Sequence, residues 1–393
     1  MAAQKPLKVV VTTRLFTPEV GAAAFRLKAL VDGLVALGAE VEVITTVPPK
    51  GSGVFRPAYK VSRWPVLRDA GGNVRGYVQY LSFDIPAFFR LLTVKADVVV
   101  SEPPPTTGLV VALSSLLRGR PFVYYAADVW TEALSAMEVP GVVKKAMRAL
   151  EGFVLRRAAA VIAVSKPVAE QVAKFGVRRD RIHVKGNGVD TEVFTPEGKR
   201  MEANGPYLVY TGTMSEWQGA GVFVEALPLV RETVPNAQLY FFGQGSDEQN
   251  LKELARTLPA QSVNFGGVIA PGEAAAWIRG AAGALVSIKP GQGYDFAKPT
   301  KIYAAAGCGT PVIFAGEGAG AALVSEHDLG AATAWDVQDV AEAMVKMLSG
   351  EPDRDRGARL SEWARQNYSL KSVGRKAAET VLDTATRSER DGQ

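Results

Sequence analysis

The groups in this chain best suited to chemistry are those that could hold an anion. Lys301 follows Pro299-Thr300 at the first turn of a helix predicted from the residue pattern over Thr300–Ala306. A helix N-terminus carries partial positive charge and free N–H groups, so an unpaired ammonium there is unfavourable unless an anion lies beside it. Lys289 stands just beyond a strand-like run ending at Ile288 and could serve the same anion. Small residues gather where strand patterns give way to helix patterns: Gly21 and Ala22 within Phe16–Ala23, Gly212 and Thr213 within Tyr210–Gly219, and Gly243 within Phe242–Asp247. Such turns let backbone N–H groups approach a ligand closely. Arg26, one turn into the first helix, either reaches an anion or lies on the surface. Asp128 stands at the end of the strand-like run through Tyr125-Ala126; it either serves a site or caps a helix.

Other chemistries are poorly supplied. The chain has two histidines, His183 and His327, and one cysteine, Cys308. An N/S-rich zinc site therefore lacks ligands, and no disulfide can form within the chain. A carboxylate-held magnesium stays open on the residues alone. Neither half carries a Gly-x-Gly-x-x-Gly run followed by an acidic residue about 20 positions on, which argues against a nicotinamide dehydrogenase.

These residues need elements to position them. Apolar, β-branched runs alternate with helix-length amphipathic stretches, the pattern of a parallel sheet with crossover helices. Strands are expected at Lys8–Thr12, Val41–Thr46, Val98–Ser101, Phe122–Ala126, Ala160–Val164 and Ile182–Lys185. The pattern then restarts, with strands at Tyr207–Tyr210, Leu239–Phe242, Val263–Phe265, Ala284–Ile288 and Val312–Phe314. A polar, Gly- and Pro-containing stretch from Asn187 to Asn204 separates the two series and reads as a linker. The expected organisation is two Rossmann-like α/β domains, 1–195 and 196–369, with a C-terminal helix near 370–387 packing back on the first. Ligands of such sheets bind at the carboxyl ends of the strands.

At 393 residues, 47% hydrophobic and 22% charged, the chain has the composition of an ordinary globular protein. No apolar run reaches the ~18 residues of a membrane span, and the first strand-like segment starts at Lys8, so a cytoplasmic protein is expected. The net charge of +5 is unevenly spread: residues 1–195 hold 26 Lys+Arg against 16 Asp+Glu, the remainder 19 against 24. The basic half suggests an anionic partner such as a lipid surface or lipid-phosphate acceptor, or simply a solvated surface. Nucleic acid is disfavoured, because no Lys/Arg stripe interleaves with aromatics. Arg56, Lys60, Arg63 and Arg68, with Phe88-Phe89-Arg90-Leu91-Leu92, are the candidates for a peripheral membrane contact on the cytoplasmic face.

Taken together, the segments resemble the family-4 retaining glycosyltransferases, which have the GT-B fold, over roughly Val9 to Ser369. The likeness is to the bacterial branch that builds surface polysaccharides and related glycoconjugates. It rests on Phe16-Thr17-Pro18-Glu19-Val20-Gly21-Ala22-Ala23, on Tyr125-Ala126-Ala127-Asp128-Val129-Trp130-Thr131-Glu132, and on Ala163-Val164-Ser165-Lys166-Pro167 with Asn187-Gly188-Val189-Asp190. In the second half it rests on Tyr210–Gly219, Phe242–Asp247, Gly266-Gly267-Val268, and the long run from Lys298-Pro299-Thr300-Lys301 to Gly309-Thr310-Pro311-Val312. The resemblance implies a ligand cleft between the two domains. It implies that Gly21, Ala22, Gly212, Thr213, Gln218, Lys289, Thr300 and Lys301 meet the donor's diphosphate and sugar, and that Gly243, Gly267, Val268 and Ala304 meet its base and ribose. Asp128 is implied as the catalytic acid group.

The chain departs from the family pattern where relatives carry cations and carboxylates. Thr213 and Gln218 stand at the positions of an arginine and a lysine, and Phe296 and Ala304 at those of two glutamates. The resemblance implies transfer of a glycosyl group, with retention, from a nucleotide diphosphate sugar to an acceptor hydroxyl. A UDP-sugar is the favoured donor, the acceptor is lipid-linked or anionic, and the context is glycoconjugate, polysaccharide or natural-product synthesis. No cofactor and no metal are implied; the nucleotide sugar is a co-substrate. Two other readings stay open. One is a non-catalytic GT-B-like binding or regulatory subunit. The other is a sugar-nucleotide epimerase, which would need acid/base groups that this histidine-poor chain scarcely offers.

Overall fold

The computed structural model describes residues 5–69, 72–131, 140–350 and 353–391; Glu132 lies outside the described residues. The chain divides into two compact units, Met1–Asn187 with Leu370–Gln393, and Gly188–Ser369.

The first unit is built on a seven-stranded sheet of order β3-β2-β1-β4-β5-β6-β7. Its strands are β1 (Lys8–Thr12), β2 (Glu40–Thr46), β3 (Lys60–Trp64), β4 (Val98–Ser101), β5 (Phe122–Ala126), β6 (Ala160–Ala163) and β7 (Ile182–Val184). Every ladder is parallel. A parallel sheet is covered on both faces, which is why its strands read as unbroken apolar runs. Successive side chains point to opposite faces. Val9 and Val11 meet the helices Ala22–Ala36 and Leu370–Asp391. Val10 meets Tyr77–Thr93, Pro105–Arg118 and Gly141–Arg157 on the other side.

The C-terminal helix crosses Ala22–Ala36 through a notch of glycines. A Cβ on Gly374 would lie 2.3 Å from the Ala29 carbonyl oxygen, and one on Gly33 2.9 Å from that of Gly374. The two backbones approach closely only because both positions lack side chains.

The second unit carries a six-stranded sheet of order β10-β9-β8-β11-β12-β13. Its strands are β8 (Tyr207–Thr211), β9 (Gln238–Phe242), β10 (Val263–Gly267), β11 (Gly283–Ser287), β12 (Val312–Ala315) and β13 (Gly330–Thr333). Helices Gly221–Thr233, Glu248–Ala255 and Val337–Ser349 cover one face. Pro271–Gly280, Thr300–Gly307, Gly318–Glu326 and Arg354–Tyr368 cover the other.

The division falls at Asn187/Gly188 rather than at 195/196, because the intervening residues already pack with the second unit. Val189 donates its N–H to the Tyr368 carbonyl at 2.8 Å, and a Cβ on Gly307 would lie 2.6 Å from the Phe194 carbonyl oxygen. Three elements were not expected. β3 is an edge strand, exposed or half-buried throughout, so it shows no apolar run. β13 is Gly-Ala-Ala-Thr, and helix Gly318–Glu326 opens Gly-Ala-Gly-Ala. Such small residues carry almost no periodic signal.

In both units the strand order reverses beside the first strand, between β1 and β4 and between β8 and β11. Doubly wound sheets hold their ligands at the carboxyl side of this reversal.

Candidate functional site

In the second unit the carboxyl ends of β8, β9 and β10 are joined through glycines. Gly212 donates its N–H to the Phe242 carbonyl at 2.7 Å, and Gly243 donates to that of Gly267 at 2.7 Å. Gly243 has φ +132°, and a Cβ there would lie 2.0 Å from the Gly212 carbonyl oxygen. Gly212 and Gly267 also have positive φ, +113° and +66°. Glycine alone admits this backbone, which brings Gly212, Gly243 and Gly267 together as the sequence suggested. Val268 follows with its side chain 53% exposed, open to a flat ligand.

Lys301 enters this group from the first turn of helix Thr300–Gly307. Its Nζ donates to the Thr213 carbonyl at 3.1 Å and lies 4.6 Å from the centre of the Tyr210 ring. No ion pair to Lys301 occurs among the described residues. Solvent reaches part of the side chain, yet burial pushes its ammonium down to about 7. A lysine desolvated at a helix N-terminus lacks the one group that would compensate it, an anion.

Gln218 is buried, and its Oε1 accepts the Ser215 N–H at 3.2 Å. The Tyr210 hydroxyl lies 2.9 Å from that oxygen and 2.8 Å from the Thr213 carbonyl, either of which can take its proton. The Gln218 oxygen is thus committed to shaping the turn, leaving its amide as the group it could offer a ligand. Gly219, at φ +60°, lets Trp335 donate its indole N–H to the Gly219 carbonyl at 2.9 Å. Lys289 is exposed, its Nζ 5.1 Å from the Trp335 ring centre.

Ala304 is 7% exposed within the core and has no polar atom to offer a ribose. Sequence reasoning missed the aromatic shelf beside it in the chain. Trp217 stacks on Tyr294 at 4.3 Å between centres, and Tyr294 leads to the exposed Phe296 at 6.4 Å.

In the first unit a cavity of about 320 Å³ lies at the carboxyl ends of β1, β4 and β5, lined in part by Arg14, Arg26, Arg75, Glu102, Asp128 and Trp130. Arg26 is neither a free anion ligand nor a surface residue. It is 5% exposed, and its Nη2 is 3.1 Å from Glu102 Oε2, while the Thr13 hydroxyl donates to Glu102 Oε1 at 2.6 Å. Glu102 was not singled out in sequence; desolvation pushes its pKa up, against the pull of Arg26.

Asp128 is not capping a helix. That task falls to Glu151 of helix Gly141–Arg157, whose carboxylate accepts the N–H groups of Trp130 and Thr131 at 2.8 Å each. Asp128 is therefore left facing the cavity. Water reaches it, but desolvation pushes its pKa up to about 6, with Arg26 lowering it and the Glu151 and Glu102 carboxylates raising it further. Gly21 and Ala22 open helix Ala22–Ala36, and the neighbouring Ala23 lines the cavity.

The expected basic surface is partly internal. Arg68 pairs with Glu19 at 2.8 Å, and Arg63 donates to the Thr17 and Thr46 carbonyls, so both brace the loop before the first helix. Leu91 is buried, whereas Tyr77, Leu81, Ile85 and Phe89 form an exposed row at four-residue spacing. Among the described residues no helix is long and apolar enough to cross a membrane.

Comparison with known proteins agrees with this geometry. The family model for the glycosyl transferase 4-like domain matches residues 21–188, and that for glycosyl transferases group 1 matches residues 205–350. The chain belongs to the family-4-type glycosyltransferases. A D-inositol 3-phosphate glycosyltransferase of Pseudarthrobacter chlorophenolicus is 32% identical over 38% of this chain and 37% of its own length. An alpha-maltose-1-phosphate synthase of Mycolicibacterium smegmatis is 27% identical over 63% of each. The matched stretches thus span less than two thirds of either relative. Among solved structures, WaaG, a glycosyltransferase involved in lipopolysaccharide biosynthesis, superposes with a TM-score of 0.72 at 18% identity, covering 95% of this chain and 99% of that one. HepE of Anabaena, in complex with UDP-glucose, gives 0.69 at 17%, covering 96% and 100%. The fold is GT-B, two Rossmann-like domains.

Proposed function

We propose that this glycosyltransferase moves a sugar, with retention, from a nucleotide diphosphate sugar to an acceptor hydroxyl. The second unit takes the donor and the first the acceptor, and a UDP-sugar is the favoured donor. The observation that carries the reading is Lys301, held against the Thr213 carbonyl at a helix N-terminus with no ion pair of its own among the described residues. A diphosphate would supply the missing charge, within reach of N–H groups freed by Gly212 and Gly243. The solved relative HepE binds UDP and UDP-glucose.

In the reaction the bond from the anomeric carbon to the donor phosphate oxygen breaks and a bond to the acceptor oxygen forms. The acceptor proton passes to the departing phosphate, and charge grows on the diphosphate. Lys301, Lys289 and the helix end stabilise that charge where it develops, the task a metal performs elsewhere. Asp128 orients the acceptor hydroxyl. Retention by double displacement would require a carboxylate nucleophile. Of the other acids lining the cavity, Glu19 is held by Arg68 and Glu102 by Arg26, which favours attack on the same face instead. The exposed row on helix Tyr77–Thr93 supports a peripheral membrane contact, and a cytoplasmic setting goes with it.

Ala304, which offers the ribose no polar atom, favours a second reading: a binding subunit without activity. A thermal-shift screen with UDP, GDP, TDP and ADP separates the two. One diphosphate at about 100 times its dissociation constant should add about 2.7 kcal/mol of stability, and Lys301→Ala should abolish that shift. If none of the four stabilises the protein, the donor site is refuted.

A further inference from the structure

The charges around the first unit's cavity do not balance in pairs. Of its acids, Glu19 is taken by both terminal nitrogens of Arg68 at 2.8 and 3.0 Å, and Glu102 by Arg26 and Thr13. Arg14 has no such partner among the described residues. Its Nη1 donates to the Val74 carbonyl at 3.2 Å, its guanidinium lies 3.9 Å over the Tyr80 ring, and its Nε is buried without a hydrogen bond. Asp84 and Glu102 act on it only at a distance, and the buried Asp84 is bonded to the Thr107 hydroxyl at 2.6 Å. Arg75, on the same rim, is exposed and makes no ion pair among the described residues. A guanidinium stays charged when buried and presents a planar fork of donors suited to a carboxylate or phosphate. The opposite wall holds Asp128 and the indole of Trp130, whose ring packs edge-on against Tyr80 at 5.8 Å. The cavity therefore offers a cationic end, an aromatic wall and an acid for a hydroxyl, in a volume of sugar size.

We infer that the acceptor is a sugar or polyol bearing an anionic group, a phosphate or a carboxylate, and that Arg14 and Arg75 hold that group. The inference rests on the acceptor role proposed for the first unit and gives it a chemical class.

The test uses the full-length protein saturated with the nucleoside diphosphate that stabilises it, so that the donor site cannot take the probe. Glucose, glucose 6-phosphate and glucuronate are titrated calorimetrically, and vesicles of phosphatidylglycerol or phosphatidylcholine are tested by sedimentation. We expect the phosphate or carboxylate probe to bind at least about tenfold more tightly than glucose, with Arg75→Gln removing most of that preference. Arg14→Lys should weaken binding less than Arg14→Gln, since charge remains but the fork is lost. Binding confined to phosphatidylglycerol vesicles, and lost in Arg75→Gln, would identify a lipid headgroup as the source of the anion. Equal binding of glucose and its anionic counterparts, without vesicle binding, overturns the inference. So does an anion preference unchanged in Arg75→Gln, a variant that answers even if Arg14→Gln fails to fold. Stabilisation by the nucleoside diphosphate alone is read first. If it is present while the anion preference is absent, the inference fails and the donor reading stands.

Discussion

The two units meet their ligands with different materials. In the second, the carboxyl ends of the strands are shaped by backbone: Gly212, Gly243 and Gly267 are linked N–H to carbonyl, and one lysine supplies the charge. In the first, the corresponding ends are shaped by side chains from distant parts of the chain, with Arg26 on Glu102, Arg68 on Glu19, and Glu151 holding the turn after Asp128. The contrast suits a donor site that must recognise the same diphosphate in every turnover and an acceptor site that must suit one particular molecule. It also separates how the two should fail.

The largest effect is expected at Glu102. Replacing it by Ala strands the Arg26 guanidinium, 5% exposed, without its carboxylate. Breaking one side of a buried pair costs about 3–5 kcal/mol, much of a domain's stability. Chemical denaturation should show that loss, and an Arg26→Met/Glu102→Leu double variant should recover most of it. If Glu102→Ala costs under about 1 kcal/mol, the first unit does not depend on its ion pairs.

Next comes Gly243→Ala, the matching lesion in backbone. Its Cβ would meet the Gly212 carbonyl oxygen at 2.0 Å in a left-handed conformation. Overpacking and strained φ together should cost about 3 kcal/mol, and diphosphate binding should vanish with it. Retained binding at full affinity would show that the glycine turn is not the donor site.

The same contrast explains what could be read from sequence. A backbone-built site announces itself, because glycines and a Pro-Thr-Lys start occur in order along the chain, and Gly212, Gly243 and Lys301 come together as their spacing implied. A site built from side chains gives no such sign. Glu102 lies 76 residues from Arg26, and its carboxylate looks in sequence like any surface acid before a proline run. Arg63 and Arg68 read as a basic surface because nothing local shows that Thr17, Thr46 and Glu19 fold over them. At the fold level the buried strands were legible from their β-branched runs. β3 was not, because an edge strand needs no apolar alternation, and the glycines of Gly318–Glu326 hid a helix whose stability comes from packing rather than propensity.

A smaller effect is expected at Lys301. Loss of its charge should weaken diphosphate binding about 10- to 100-fold, 1.4–2.7 kcal/mol. Its pH dependence identifies the group. The ammonium, pushed from 10.5 down to about 7, is largely neutral in the free protein above pH 7. The diphosphate then has to draw in a proton, so affinity should fall as pH rises above 7, by up to tenfold per unit. The slope should disappear in Lys301→Ala and in Lys301→Arg, the latter keeping affinity better. Folding has the converse sign: the cost of the desolvated charge is fully present below pH 7 and is relieved as pH rises toward 10.5.

The smallest change in free energy is expected at Asp128, where the first unit leaves an acid without a cation of its own. Its pKa is raised from 3.8 to about 6, so the folded protein holds the proton more tightly than the unfolded chain between those values. Stability contributed by the neutral acid is present below pH 3.8 and lost as pH rises through 6. Because water reaches the carboxylate, screening should hold the loss under about 1 kcal/mol. Asp128→Asn should therefore match the parent protein near pH 4 and be slightly more stable above pH 6. If the ionised carboxylate orients the acceptor hydroxyl, kcat/KM for transfer should fall on the acid side with a midpoint near 6. The asparagine variant should keep diphosphate binding, turn over slowly, and lose that acid limb. An acid limb unchanged in Asp128→Asn would place the titrating group elsewhere in the site, and the comparison would then turn on Glu102, the cavity's other acid with a raised pKa.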